Sequence, residues 1–247
     1  MSTSVAVVGA SGRLGSVVVD VINQMPDFVL HASLGSQSDL SELHGADIVV
    51  DVSTPAASEG IVKAALAAGA KVLVGTSGWS ADRLAVLGKD LSATPGAAVM
   101  VVPNFSVGSV VGVALSKVAA RFFDSVEIVE THHQHKIDSP SGTARATAEQ
   151  IAQVRASRGG VVSPHTNQTA RGEEIAGIPV HSLRLQGVVA KQEVIFGGVA
   201  ETLTITHDTQ SSEAYRFGIR LALTALRDQT GLVVGLHNAL DFDGDAS

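Results

Sequence analysis

The stretch THHQHKIDSPSGTA, Thr131 to Ala144, concentrates side chains that can do chemistry. His132 and His133 are adjacent, so an extended backbone turns them to opposite faces, whereas His133 and His135 share one. Lys136 follows. Pro140-Ser141-Gly142-Thr143 then opens a helix, whose first N–H groups have no acceptor within the helix. These are the parts for holding a small dianion. A helix N-terminus capped by Ser or Thr takes one carboxylate. Lys136 binds another or donates a proton. A histidine supplies general acid chemistry near neutral pH. Three histidines within four positions also raise the question of a metal. The chain has no cysteine, no HExxH and no carboxylate at a usual partner spacing, so we read no metal site. A capped helix start or a lone histidine is ordinary structure when taken singly. The combination points to a substrate site.

A second motif, GASGRLG, runs from Gly9 to Gly15. It sits between the apolar run Val5–Val8 and the helically spaced Leu14, Val17, Val18, Val21 and Ile22. Gly9 permits a tight turn, Gly12 lets the backbone approach a pyrophosphate, and Gly15 allows close helix–strand packing. Ala10, Ser11, Arg13 and Leu14 complete the loop, and the helix start favours phosphate. The spacing is GxxGxxG, because Ser11 stands where the usual fingerprint has its second glycine. An NAD-preferring site places an acid about 20 residues further on. Here that place is Gly35, followed by Ser36, Gln37 and Ser38, and the first acid is Asp39. A 2′-phosphate meets no carboxylate there, and Arg13, Ser36 and Ser38 can contact it. The expectation is that NADPH is accepted at least as well as NADH, with dual specificity. Gly75-Thr76-Ser77-Gly78 and Pro103-Asn104-Phe105-Ser106 also follow strand ends, where open α/β sheets bind ligands. They can approach a nicotinamide, and they read equally as ordinary turns.

The elements that must position these motifs are legible in the pattern. Strands are expected at Val5–Val8, Phe28–Leu34, Asp47–Val52, Lys71–Val74 and Ala97–Val102. Helices are expected at Arg13–Met25, from Pro55 to about Gly69, and after Ser80. This alternation implies right-handed crossovers and a Rossmann-like, doubly wound parallel sheet. After about residue 105 the texture changes. Ser109–Phe123 and Gly142–Arg158 read as helices and Ser125–Thr131 as a half-buried strand. Residues 159–177 read as a long polar loop. Val180–Val189, Gln192–Phe196 and Glu201–His207 look like an antiparallel sheet. Glu213–Arg227 reads as a last helix and Leu232–Leu236 as a strand returning to the first sheet. The fold class is α/β, with a second α+β domain around a mostly antiparallel or mixed sheet. We assign 1–105 with 217–247 to dinucleotide binding and 106–216 to substrate binding and oligomerisation.

Composition bounds the rest. The chain has 247 residues, and 17 basic against 24 acidic residues give a net charge of −7. That balance argues against a sequence-independent nucleic-acid binder. Forty-five per cent hydrophobic residues can bury a sizeable core. Without cysteine there is no disulfide and no thiolate chemistry. The N-terminus lacks a basic n-region, and no apolar run approaches the ~18 residues of a membrane span. A cytoplasmic protein with no membrane partner is expected.

The motifs together resemble the dihydrodipicolinate reductase family, also called 4-hydroxy-tetrahydrodipicolinate reductase. The resemblance runs nearly end to end: GxxGRxG, DVSTP at Asp51–Pro55, VGTSG at Val74–Gly78, VPNFSVG at Val102–Gly108, and most specifically ETHHQHKIDSPSGTA at Glu130–Ala144. IPVHSLRLQG and EVIFGGVAETLTITHD in the later strands fit as well. The resemblance implies that His132 is the catalytic acid/base and Lys136 a proton donor. It implies that His133, Gly142 and Thr143 contact substrate carboxylates, with Ser141 beside them. The segments Gly9–Leu14, Gly75–Ser77 and Val102–Phe105 match cofactor-binding ones. The family implies a homotetramer built through the second sheet, hinges that close over the ligands, and reduction of a cyclic dicarboxylate with loss of water in lysine and diaminopimelate biosynthesis. Thr131, Ser139 and the GTSG sequence depart from the family's commoner residues with little change in volume. A short-chain dehydrogenase would need Tyr-x-x-x-Lys, but Ile219 lies four residues after the sole Tyr215. Two alternatives stay open: a non-catalytic NAD(P)-binding redox sensor, and a reductase of the same fold acting on another cyclic imine dicarboxylate.

Overall fold

The structure, a computed structural model, describes residues 2–240. The chain divides into two compact units, with breaks after Val107 and after Ser211.

The first unit is built on a six-stranded parallel sheet. Its strands are β1 (Thr3–Val8), β2 (Phe28–Leu34), β3 (Ile48–Asp51), β4 (Lys71–Val74), β5 (Ala98–Val101) and β11 (Gly231–Val234). Their order is β11-β5-β4-β3-β1-β2. All pairs are parallel. Helices α1 (Arg13–Asn23), α2 (Pro55–Ala67), α3 (Ala81–Ser92) and α6 (Arg216–Leu226) complete the unit. The central strands are short, apolar runs because both faces of the sheet are covered. One row shows how register builds the core. Ala6 lies beside Val49, Val49 beside Val72 and Val72 beside Val99, and all four are fully buried. Burial of one such valine stabilises by about 1.5–3 kcal/mol. Helix starts follow local chemistry. Ser80 Oγ accepts the Arg83 N–H at the start of α3, and Pro55 occupies the first turn of α2. The chain order reverses at β1, so the switch point of the sheet lies between β1 and β3.

The second unit holds α4 (Val107–Ala119), β6 (Ser125–His133), α5 (Gly142–Arg155), β7 (Glu173–Ile175), β8 (Ile178–Leu185), β9 (Ala190–Gly198) and β10 (Glu201–Thr209). The sheet order is β10-β9-β6-β8-β7. The β6–β8 pair is parallel and the others are antiparallel, so the sheet is mixed. Val126, Ile128, Val180, Val194 and Phe196 share one face and pack with Ala144, Ala148 and Ile151 of α5. The opposite face carries Leu183, Leu185 and Ile195, which remain 46%, 50% and 36% exposed.

The structure departs from the sequence reading at several boundaries. The expected loop at 159–177 contains a 3-10 turn at Thr169–Arg171 and the edge strand β7. Ala176 and Gly177, both with positive φ, form the two-residue turn from β7 to β8. Three residues are too few to show an alternating signal. β6 continues through His133, two residues beyond the expected Thr131, because His132 and His133 still pair with Arg184 and Leu185. β8 and β9 are not neighbours, since β6 lies between them. The last expected helix divides into a 3-10 turn at Ser212–Tyr215 and α6.

Candidate active site

The glycine loop joins the end of β1 to α1. Gly9 has φ +88°, and a Cβ there would lie 2.5 Å from the Val52 carbonyl oxygen. A Cβ on Gly15 would lie 2.0 Å from the Gly9 oxygen, so the fold itself requires glycine at both. Gly12 differs. It is exposed, and its Cβ would meet only the Gly9 oxygen, at 3.2 Å. In the sequence reading its small size is assigned to the approach of a pyrophosphate. α1 has no acidic residue in its first turn and no side-chain cap, so its N–H groups and positive end remain available to a phosphate. Ser11 and Arg13 are exposed, and Ala10 and Leu14 half-buried. We expect Gly15→Ala to abolish folding. Gly12→Ala should keep a near-native melting temperature and weaken NADPH binding at least about tenfold, or ~1.4 kcal/mol. Calorimetric melting and titration measure both, and wild-type affinity in Gly12→Ala would remove the loop from the cofactor site.

Beside this loop lies a surface cavity of about 380 Å³, lined by Ala10, Ser11, Ser16, Val19, Asp20, Ser33, Leu34 and Gly35. Gly35 and Ser36 are exposed at the end of β2. Ser38 Oγ accepts the Gly35 N–H at 3.0 Å. The Asp39 carboxylate is turned away to accept the Ser41 N–H at 2.9 Å, which holds its carboxyl below the usual range. The cavity does include one acid that the spacing rule misses, Asp20 on α1. At the ends of β4 and β5 the side chains and backbone divide their work. Thr76 is buried and bonds the Asp51 carbonyl at 3.3 Å. The buried Phe105 ring packs where a Gly75 Cβ would be, 2.7 Å away. Val102 is buried, while Ser77 and Pro103 are exposed and Asn104 is half-buried. Asn104 Oδ1 accepts the Ser106 N–H at 2.8 Å and shapes the loop. The Asp51 carboxylate accepts from Ser53 N at 3.1 Å, Ser53 Oγ at 2.5 Å and Ser58 Oγ, tying β3 to α2.

The second unit gathers the other motif. Strand alternation puts Glu130 and His132 on one face of β6, and the β6–β8 register places Ser182 beside Glu130 and Arg184 beside His132. The Glu130 carboxylate is fully buried. His132 Nδ1 faces Glu130 Oε2 at 2.5 Å. Arg184 reaches both carboxylate oxygens at 2.9 Å. The backbone N–H of Ser141 donates to Oε1 at 3.2 Å. Burial alone would raise the Glu130 pKa, but hydrogen bonds from His132, Arg184 and Ser182 outweigh it and hold the carboxyl at about 2. An ionised carboxylate only accepts, so Nδ1 carries the proton in this pair. Among the described residues, His132 Nε2 has no hydrogen-bond partner.

The loop after β6 adds a cation and a helix start. Lys136 Nζ donates to both oxygens of Asp138 at 2.7 Å. That bond lowers the Asp138 pKa, against a smaller effect of burial. The Lys136 side chain is 19% exposed and that of Asp138 65%. Ser141 caps α5 by accepting the Ala144 N–H at 3.2 Å. Gly142 and Thr143 then present the first-turn N–H groups, with no acid in that turn. The rings of His133 and His135 lie 6.3 Å apart. Among the described residues no group of three metal-ligating side chains converges.

The same two halves appear in comparisons with known proteins. The family model "Dihydrodipicolinate reductase, N-terminus" matches residues 3–105, and "Dihydrodipicolinate reductase, C-terminus" matches residues 108–240. The chain belongs to the dihydrodipicolinate reductase family. The 4-hydroxy-tetrahydrodipicolinate reductase of Clavibacter sepedonicus is 54% identical over 244 residues, which cover 99% of this chain and 88% of the relative. That of Streptomyces coelicolor is 41% identical over 245 residues, 97% of this chain and 98% of the relative. The dipicolinate-bound dihydrodipicolinate reductase from Paenisporosarcina sp. TG-14 superposes with a TM-score of 0.81. It is 28% identical and covers 97% of this chain and 100% of its own.

Within this reductase fold the structure brings His132, Lys136, Ser141, Gly142 and Thr143 to one end of β6 and the start of α5. Three participants escaped the sequence reading. Asp138 lies inside the motif at a visible spacing from Lys136. Glu130 carries a usable signal in its two-residue spacing from His132, which puts both on one face of a strand. Arg184 had no local signal, because it is 54 residues from Glu130 and meets it only through β6–β8 pairing.

Proposed function

We propose that this chain reduces 4-hydroxy-tetrahydrodipicolinate to tetrahydrodipicolinate, with loss of water, in lysine and diaminopimelate biosynthesis. The single observation that carries the reading is the convergence of an imidazole, an ammonium and an uncapped pair of helix amides at one strand end. The names of the full-length relatives and the dipicolinate in the Paenisporosarcina enzyme support the substrate class. The α1 start, free of acids and open at Gly12, suits a dinucleotide pyrophosphate. The Gly9–Leu14 loop, exposed at Ser11, Gly12 and Arg13, and the exposed Gly35–Ser36 segment would hold that cofactor, with Gly75–Ser77 and Val102–Phe105 contributing mainly backbone.

When bound, the reduced nicotinamide would supply a hydride to the ring carbon that becomes conjugated with the C=N once the substrate's hydroxyl and a neighbouring ring proton have left as water. The chain's own residues do the rest. The Gly142 and Thr143 N–H groups hold one carboxylate, and His133 stands on the same segment to assist. Lys136 attracts the other carboxylate. Fixing both ends orients the ring, an effect worth roughly 7–11 kcal/mol for well-placed reactants. The charge that develops on the enamine side is quenched by a proton from His132 Nε2 or Lys136 Nζ.

The reading is tested by substrate-dependent oxidation of NADPH and of NADH. Dipicolinate should compete with substrate, and the two kcat/KM values should lie within about tenfold of each other, or ~1.4 kcal/mol. Cofactor oxidation that dipicolinate leaves untouched would point to another imine, and none at all to a redox sensor. The expected dual cofactor use follows from the missing acid at Gly35 and the engagement of Asp39 with Ser41. We further place the protein in the cytoplasm as a homotetramer, assembled through the sheet face bearing Leu183, Leu185 and Ile195. Light scattering that read a monomer would refute the assembly. No helix among the described residues is long and apolar enough to cross a membrane.

A further inference from the structure

We infer that Glu130 and Arg184 are positioning residues for His132. Glu130 selects which imidazole nitrogen faces the substrate, and Arg184 locks Glu130 to the loop that carries Lys136. The inference rests on His132 being an acid of the proposed site.

The geometry is specific. A solvent-exposed carboxylate beside His132 would be screened and mobile. Glu130 is instead fully buried, and each of its oxygens is used. Oε2 takes His132 Nδ1 and one Arg184 nitrogen; Oε1 takes the other Arg184 nitrogen and Ser141 N–H. With every lone-pair direction spoken for, the carboxylate cannot rotate away from the imidazole. Nδ1–H is therefore bound inward, and Nε2 is the nitrogen left to exchange a proton. Arg184 also donates to the Asp138 carbonyl at 2.7 Å. One guanidinium thus joins the partner of His132 to the backbone of the residue that holds Lys136. Ser141, which donates to the same carboxylate, is the cap of the helix that presents Gly142 and Thr143. Glu130 touches the supports of all three substrate-facing groups and has no exposed atom with which to touch a ligand itself.

Glu130→Gln is the informative change. Its single carbonyl oxygen is drawn to the cationic Arg184, which turns the amide NH₂ toward His132. Nδ1 must then accept, the ring proton moves to Nε2, and protonation of both nitrogens is opposed. The same logic accounts for the large loss when the triad aspartate of serine proteases becomes Asn. The double variant Glu130→Gln/Arg184→Met also removes the half-buried guanidinium that Gln leaves without a carboxylate, exchanging an ion pair for side chains of similar volume. We expect both variants to lose at least about tenfold in kcat, while the dissociation constant of NADPH stays within about threefold. In Glu130→Gln protein labelled with ¹⁵N in its histidine rings, the His132 signals should show the switch from Nδ1–H to Nε2–H. A folded double variant with wild-type kcat overturns the inference, as does a slow Glu130→Gln variant whose His132 tautomer is unchanged. His132→Gln separates the two layers. If it too is slow while the Glu130 variants are not, only the positioning role falls. If it keeps wild-type kcat, His132 is not the acid and the reading beneath the inference falls with it.

Discussion

His132→Gln lowers kcat by about 10²–10⁴-fold and leaves NADPH affinity near wild type. That range is what a positioned general acid contributes, equivalent to roughly 2.7–5.4 kcal/mol of transition-state stabilisation. The substitution suits the site. The Gln amide can still donate to Glu130, so the buried carboxylate keeps its partners and the local structure survives. What disappears is a group that can release a proton at Nε2. Substrate KM should change less than kcat, because the carboxylate contacts at Gly142 and Thr143 are untouched. Steady-state rates with both cofactors and a direct NADPH titration make the comparison. Wild-type kcat in a folded His132→Gln protein would falsify the assignment.

Lys136→Ala behaves differently, because it strikes binding and chemistry together. In the structure the ammonium is shared by both oxygens of Asp138, so the pair is close to neutral before substrate arrives. Removing Lys136 does more than delete one attraction. It leaves the Asp138 carboxylate facing a dianionic substrate, and like charges repel. We expect KM to rise about tenfold, or ~1.4 kcal/mol, and kcat to fall about 100-fold, the lower end for a lost proton donor. Lys136→Ala/Asp138→Asn should recover most of the KM loss and little of kcat. Equal KM values in the single and double variants would show that Asp138 does not act on the substrate. Unchanged kinetics in Lys136→Ala would remove the lysine from the site altogether.

The two halves of the molecule were legible to different depths. Phe28–Leu34 and Lys71–Val74 are read from the sequence at their observed bounds, and Ser80, Pro55 and Gly9 mark their helix starts and turn correctly. Such signals are local. An apolar run, a hydroxyl before a helix and a glycine at positive φ each act within one or two turns of chain. The same locality made the glycine loop and the His–Lys–helix string visible as chemistry. It also explains the limits. β7 is three residues long and too short to declare a period. Its two-residue turn needs positive φ at Ala176, which alanine does not advertise.

What tertiary structure alone decided is which distant groups share a charge. Glu130 and Arg184 lie on strands whose parallel pairing no local pattern specifies, and His132 acquires its buried carboxylate partner in a geometry that only the sheet register sets. Local sequence therefore determined the elements and the inventory of reactive side chains. Long-range strand pairing determined the protonation geometry of the site, because electrostatic coupling in a buried network depends on distances of a few ångströms between residues far apart in the chain.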